Sequence, residues 1–341
     1  LVSLILYPLL IILIFFRKLI NKEDKDRYKE KIFSSSFEKN FNEKKKLIWF
    51  HAASIGEIQS IIPLIEQLNS NSQKFNFLVT TVTLSSGKLV EQELKNYDNL
   101  IHRYLPLDIN FLIKKFISLW KPHVVFFVDS EIWPNLILNI KKKNIPLVVI
   151  NGRITYKTFK RWARIPKTAK KIFSSFNLIL TSNLESKEYF DKLGGNNIFH
   201  FGNLKFTNSI NLQKVLTLKR GILENKNFWC AVSTHDNEEE LCIQAHIKLK
   251  EKIKNFLTII APRHIQRSEE IKKLCNNYNL TAQIVNKNDN ISKDSEIIII
   301  NSFGNLSSYF KYAKSVFVGK SMLKKLSLDG GQNPILAAQL G

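Results

Sequence analysis

Several short stretches of this chain bring acids, bases and anion-binding groups close enough to act together. His51-Ala52-Ala53-Ser54-Ile55-Gly56-Glu57 follows the apolar run LIWF and groups an imidazole, a hydroxyl and a carboxylate. Ser54 and Glu57 have the spacing of a capping box, in which hydroxyl and carboxylate satisfy the first free amides of a helix. The same carboxylate could serve as general base toward a hydroxyl nucleophile. Gly56 in a first helical turn costs roughly 1 kcal/mol relative to Ala, which is more easily understood if something must approach the backbone closely. A second acidic stretch, Asp129-Ser130-Glu131-Ile132-Trp133-Pro134-Asn135, follows HVVFFV; its acids could partner a helix start or stand in a site. In Asn151-Gly152-Arg153-Ile154-Thr155, Arg153 could hold an anionic group or be a solvated surface side chain.

The second half carries groups suited to phosphate. Ser233-Thr234-His235-Asp236 precedes Glu238, Glu239 and Glu240; hydroxyls and free amides at such a helix start form a phosphate seat, although an ordinary N-cap explains Ser233 or Thr234 equally well. Ala261-Pro262-Arg263-His264, with Arg267 a turn later, makes an anion site the better reading. Gly319-Lys320-Ser321 is followed by Asp329-Gly330-Gly331-Gln332-Asn333-Pro334, where the glycines free amides for a ligand, Asn333 can cap and Pro334 suits a first helical position. Gly319-Lys320-Ser321 is not a Walker A loop, because Lys314 stands where that motif needs a glycine and SVFV reads as a strand. No G-x-G-x-x-G follows the first strand either, so a dinucleotide dehydrogenase has no support.

These residues need elements to hold them. LIWFHA, FNFLVTTVT, HVVFFVD, PLVVI and NLILTS, and later FWCAVS, FLTIIAP, EIIII and SVFVG, read as buried strands with helices between them, the pattern of parallel α/β sheets. Open sheets of this kind bind ligands beyond the carboxyl ends of their strands, which is where the stretches above fall. The 341 residues suit two domains. The expected division is a membrane anchor over 1–20, a basic connector over 21–45, an α/β domain over 46–210, a linker over 211–225 and a second α/β domain over 226–341. The apolar run 1–16 would reach about 24 Å as a helix, somewhat short of a bilayer core, so it would span only with residues upstream. Arg17, Lys18 and Lys22 after it put the body on the cytoplasmic side. The chain starts at Leu1 and stops at Gly341 directly after a motif-like stretch, as a fragment would, and the second domain is expected to be truncated at its carboxyl end.

Composition narrows the classes. Hydrophobic residues at 44% and aromatics at 11% are enough to build a core and exclude a disordered chain. Cys230, Cys242 and Cys275 are odd in number and lack paired metal-ligand spacing, so neither a disulfide framework nor a zinc site is indicated. Lys+Arg 51 against Asp+Glu 29 gives +22, which points to a polyanion, although abundant Lys, Asn and Ile with scarce Arg also reflect AT-rich codons.

IWFHAASIGEIQSIIPLI, DSEIWPNLI, INGRIT, FGNLKFT, VSTHDNEEE, APRHIQR and VFVGKS followed by GGQNP occur in one order from residue 48 onward. This series closely resembles the Kdo transferases of lipopolysaccharide biosynthesis, which move 3-deoxy-D-manno-octulosonic acid (Kdo) from CMP-Kdo onto the lipid A precursor. The resemblance implies an α/β GT-B glycosyltransferase with two Rossmann-like domains facing a cleft, the acceptor held by the first and the CMP-sugar by the second, with inversion. It implies Glu57 as general base and Glu131 as a second catalytic acid group, with Ser54, Gly56 and Arg153 on substrate. Ser233, Thr234, His235, Arg263, His264, Gly319, Ser321, Gly330, Gly331 and Asn333 would hold CMP-Kdo. No metal or cofactor is expected; arginines, amides and helix dipoles would meet the phosphate charge. The expected partners are CMP-Kdo, the lipid A precursor (lipid IVA) and the cytoplasmic leaflet of the inner membrane, not nucleic acid. Lys320, Gln332 and Leu336 stand where the family commonly has Gly, His and Glu. Leu336 would leave the ribose hydroxyls unpartnered at a cost of about 1–3 kcal/mol. A truncated or degenerate non-catalytic GT-B protein at the membrane, or a transferase for another nucleotide-activated sugar, are the alternatives.

Overall fold

A computed structural model describes residues 5–37, 45–71, 74–204, 223, 226–286, 289–302, 306–322, 334 and 337–338. The chain forms two compact units, Leu1–Asn208 and Ser209–Gly341. The first contains strands β1 (Lys46–His51), β2 (Phe75–Thr81), β3 (Leu100–Tyr104), β4 (Val124–Val128), β5 (Leu147–Gly152), β6 (Leu178–Thr181) and β7 (Ile198–His200). Its helices are α1 (Tyr7–Leu19), α2 (Lys29–Ile32), α3 (Ile55–Asn71), α4 (Leu84–Glu93), α5 (Asn110–Trp120), α6 (Pro134–Lys142), α7 (Tyr156–Ala163), α8 (Pro166–Phe173) and α9 (Leu184–Lys192). The second unit has β8 (Asn227–Thr234), α10 (Glu238–Lys250), β9 (Phe256–Pro262), α11 (Ser268–Asn277), β10 (Ala282–Val285), β11 (Ile297–Ile300), α12 (Leu306–Phe310) and β12 (Val316–Val318).

Both sheets are parallel, in the orders β3-β2-β1-β4-β5-β6-β7 and β10-β11-β9-β8-β12. Central strands buried on both faces must be apolar at every position, which is why LIWF and LVVI read so clearly. One face of the first sheet packs Trp49, Phe127, Ile137 and Phe173, and the other Phe50, Ile58, Phe77 and Val128. In the second, Phe228, Ile259 and Ile298 lie on one side, with Ala231, Ile243, Ile260 and Ile299 on the other. Strands β3, β7 and β10 went unread in the sequence. All three are sheet edges and only partly buried, so no continuous apolar run marks them.

In each sheet a later strand returns to the far side of the starting strand, β4 beside β1 and β12 beside β8; in the second sheet β10 takes the edge before β11 fills the place beside β9. The switch points therefore fall between β1 and β4 and between β8 and β12. There the carboxyl-end loops diverge and leave room for a ligand.

The amino-terminal segment differs from expectation. Helix α1 has 13 residues, and among the described residues no helix is long and apolar enough to cross a membrane. Its inner side packs Ile11 and Ile14 on Tyr28, Ile32 and Leu107, while Ile5, Leu9, Ile12, Phe16 and Leu19 are exposed. The stretch expected as a connector is packed too. Glu23 pairs with Arg17 and Lys31, and Arg27 with Glu30 and Glu91, while the Glu30 carboxylate accepts the Tyr104 amide at 2.8 Å. Opposite charges alternating along this stretch close on one another and on β3, so it forms part of the first unit.

Candidate active site

At the first switch point Glu57 sits in the opening turn of α3, and both sequence readings of it meet there. Ala53 N–H donates to Glu57 Oε2 at 2.7 Å, Ser54 Oγ donates to Oε1 at 2.8 Å, and Glu57 N–H reaches back to Ser54 Oγ at 3.4 Å. This is a capping box shifted by one residue, the carboxylate taking the Ala53 amide and the Ser54 hydroxyl instead of the Ser54 amide, and it fixes the carboxylate at the mouth of the sheet. Glu57 is 8% exposed. Burial pushes its carboxyl above the usual range, the bonds from Ser54 and Ala53 offset part of the rise, and the charges of Glu131 and Asp129 add to it.

Glu131, in the loop after β4, is shifted the other way. Burial pushes it up, but the His51 ring and the Trp133 indole outweigh this and hold it below the ordinary carboxylate range. Trp133 Nε1–H donates to Oε2 at 2.7 Å, and His51 Nε2 stands 3.5 Å from the same oxygen. Glu131 is therefore not the cap of α6. That role falls to Asp108, whose carboxylate accepts the Asn135 and Leu136 amides at 2.9 and 2.8 Å. No local pattern points to it, because cap and helix are 27 residues apart. The Trp-Pro-Asn run is now intelligible. Trp133 holds Glu131, Pro134 opens the helix, and Asn135 Nδ2 donates to the Asp108 carbonyl at 2.6 Å. Arg153 is exposed, with its amide 3.4 Å from the Asp129 carbonyl. Two carboxylates with opposite displacements can divide the labour: Glu57 is the readier to take a proton while Glu131 stays anionic.

The second switch point gathers Ser233, Thr234, His235, Arg263, His264 and Gly319. Arg263 N–H donates to the Thr234 carbonyl at 3.0 Å, and the His235 and His264 rings lie 6.3 Å apart. A Cβ on Gly319 would meet the Ser233 carbonyl oxygen at 2.3 Å, so only glycine lets the two loops approach. Thr234 is fully buried and shapes the loop rather than offering its hydroxyl. Neither Ser233 nor Thr234 caps α10, whose N-cap position is Asn237. Ser321 is exposed, its hydroxyl donating to the Val318 carbonyl at 2.8 Å. Gly330, Gly331 and Asn333 lie outside the described residues.

Glu238 was not expected as a site residue, yet it organises this loop pair. Fully buried, it accepts the amides of His235 at 3.0 Å and of Lys320 at 2.8 and 2.9 Å. Those amides are consequently not free for a phosphate. An anion here would be met by the exposed side chains of Arg263 and His264 rather than by the amides of His235 and Lys320. Backbone strain marks both switch points: Asp129, Asn151, Ser233 and Lys320 have φ of 61°, 55°, 53° and 68°, a region that costs non-glycine residues energy and clusters at functional sites. Among the described residues no group of acids, histidines and cysteines could hold a metal ion.

Comparison with known proteins places these features. The family model for 3-deoxy-D-manno-octulosonic-acid transferase matches residues 26–208. The 3-deoxy-D-manno-octulosonic acid transferase of Rickettsia bellii is 31% identical over 98% of this chain and 78% of its own length. That of Haemophilus influenzae is 29% identical over 84% of this chain and 67% of its own. Among solved structures, a UDP-N-acetylglucosamine 2-epimerase from Neisseria meningitidis superposes with a TM-score of 0.55 at 14% identity, covering 81% of this chain and 77% of that one. A glycosyltransferase from Rickettsia africae gives 0.50 at 13% identity, covering 80% and 72%. These two likenesses are of fold alone, the GT-B-like pairing of parallel α/β units. With the family model matching more than half its length and a relative aligned along nearly all of it, the chain belongs to the 3-deoxy-D-manno-octulosonic acid (Kdo) transferases, a family of glycosyltransferases.

Proposed function

We propose that this chain transfers Kdo from CMP-Kdo to a glucosamine hydroxyl of the lipid A precursor lipid IVA, with inversion, at the cytoplasmic face of the inner membrane. One observation carries the reading: Glu57 and Glu131, displaced in opposite directions, stand at the β1/β4 switch point of a chain of this family. Glu57 takes the proton of the acceptor hydroxyl as its oxygen attacks the anomeric carbon. The bond from that carbon to the CMP phosphate breaks on the opposite face, and CMP leaves with the electron pair. Glu131 remains charged and keeps Glu57 basic. On the second unit Arg263 and His264 meet the phosphate, and Glu238 holds the loops that present them.

Docking to the membrane is supported by two features at the carboxyl edge of the first sheet. The exposed stripe of Ile5 and, on α1, Leu9, Ile12, Phe16 and Leu19 suits the acyl boundary. From Arg153 to Lys171 there are eight Lys and Arg and no Asp or Glu, suited to anionic headgroups and to the acceptor's phosphates.

The test is transfer from CMP-Kdo to tetra-acylated lipid A precursor, followed by mass and by the anomeric configuration of the product. Glu57→Ala is expected to lower kcat by about 10²–10⁴. Because Glu57 acts ionised and its pKa is raised, wild-type kcat/KM should fall as pH falls, beginning above the ordinary carboxylate range. Glu57→Ala with near wild-type transfer defeats the assignment. Leu336 favours a second reading, binding without turnover; a folded chain that binds CMP-Kdo but transfers nothing would support it.

A further inference from the structure

Behind Glu131 a line of polar contacts runs through the core of the first sheet. Trp49 and His51 on β1 and Thr80 on β2 are fully buried. Trp49 Nε1–H donates to Thr80 Oγ1 at 2.8 Å, and Thr80 Oγ1 lies 2.9 Å from His51 Nδ1. His51 Nε2 is buried, makes no hydrogen bond and faces Glu131 Oε2 at 3.5 Å. The line is built into the ladder, since the β1–β2 register sets His51 opposite Thr80. Phe127 and Trp133 wall the imidazole edge-on, with ring centroids 5.5 and 6.1 Å away.

Counting protons gives the line a direction. A threonine hydroxyl has one proton to donate and two lone pairs to accept with. The Trp49 indole fills one lone pair, so the hydroxyl proton is available for His51 Nδ1 at 2.9 Å; the Thr80 carbonyl, 3.3 Å from the same nitrogen, could accept only from the other tautomer, and the carboxylate facing Nε2 decides for a ring proton there. The reverse tautomer would set a bare nitrogen lone pair against a carboxylate oxygen inside the protein, where such repulsion is poorly screened. An imidazolium would bury a charge and leave the threonine proton without its nitrogen partner.

We propose that His51 is a positioning residue for Glu131: Trp49 and Thr80 fix the neutral ring with its proton on Nε2, and that N–H keeps Glu131 oriented as a carboxylate beside Glu57. The catalytic consequence rests on the reading of Glu57 as base and Glu131 as a standing negative charge. The titratable groups around Glu131 are Glu57 from α3, Asp129 from its own loop and the neutral His51 from β1. Burial disfavours its ionisation, and the Nε2–H and the Trp133 indole oppose that. Without that donor Glu131 takes up a proton at higher pH, and the active form is lost sooner on acidification.

The tautomer is read directly on the full chain by NMR with ¹⁵N-labelled histidine, His51 being assigned by its absence in His51→Gln. Wild type should show the neutral Nε2–H form, and Thr80→Val should shift it toward a mixture. A bare Nε2 or an imidazolium in wild type, or a tautomer unmoved by Thr80→Val, overturns the relay. In transfer assays with CMP-Kdo and lipid A precursor, His51→Phe should steepen the acid limb of kcat/KM, because proton uptake by Glu131 then adds to that by Glu57. It should lower kcat more than it raises KM. His51→Gln, which keeps an N–H donor near the Nε2 position, should return most of the limb. A folded His51→Phe protein with the wild-type limb overturns the positioning role. Absence of transfer in wild type defeats the functional reading instead, while the tautomer measurement still decides the relay.

Discussion

A methyl group placed on Gly56 would meet no heavy atom within 4 Å, so packing inside the protein gives that position no reason to be glycine. Glycine there costs roughly 1 kcal/mol of helix stability relative to alanine. The clearance next to Glu57 therefore suits a substrate that approaches the backbone. Gly56→Ala is expected to raise unfolding stability by about 0.5–1 kcal/mol while raising the KM for acceptor several-fold. Denaturant melts and acceptor titrations on the same protein check both halves, and an unchanged KM would remove Gly56 from the site. Gly319 has the opposite logic, because the Ser233 carbonyl occupies the space a side chain would need.

Helix starts explain how the elements deliver their side chains. Helices α4, α7 and α9 are capped locally by Thr83, Thr155 and Asn183, and α3 by its own capping box. These are legible in sequence because cap and amide are three residues apart. Helix α6 depends on Asp108 from a distant loop, and the opening of α10 depends on Glu238 reaching across to Lys320. Such ties lock loops that carry function as well as the helices. Glu238→Ala strands the His235 and Lys320 amides at a cost of about 1–3 kcal/mol. Calorimetry should show the loss in the second unit, together with weaker CMP-Kdo binding; an unchanged melt would show that the loops hold without this carboxylate.

Across the whole molecule the charge of +22 and the apolar stripe of α1 act on the same kind of partner by different physics. Electrostatic attraction to an anionic surface fades as the Debye length shrinks to about 10 Å at 0.1 M salt, whereas burial of apolar side chains does not. Binding to vesicles of anionic lipid should therefore weaken with salt but not vanish. The double substitution Leu9→Asn with Phe16→Asn should abolish the salt-resistant part in vesicle flotation. Equal salt-resistant binding by that variant would mean that α1 does not dock.

Apolar runs and strand-end motifs determined much of this protein by themselves: parallel α/β sheets, the positions of Glu57, Glu131 and Arg263 beyond strand ends, and the family. These are local signals, carried by side-chain period and by residues a few positions apart. The edge strands β3, β7 and β10 escaped because a half-buried edge need not be apolar. Only the tertiary structure decided what distant residues do to one another. It set His51 and Trp133 on Glu131, charged Glu57 with the cost of burial, gave the cap of α6 to Asp108 and spent the His235 amide on Glu238. Hydrogen bonds and desolvation act through space, and chain separation says nothing about them until the sheet has brought its strand ends together.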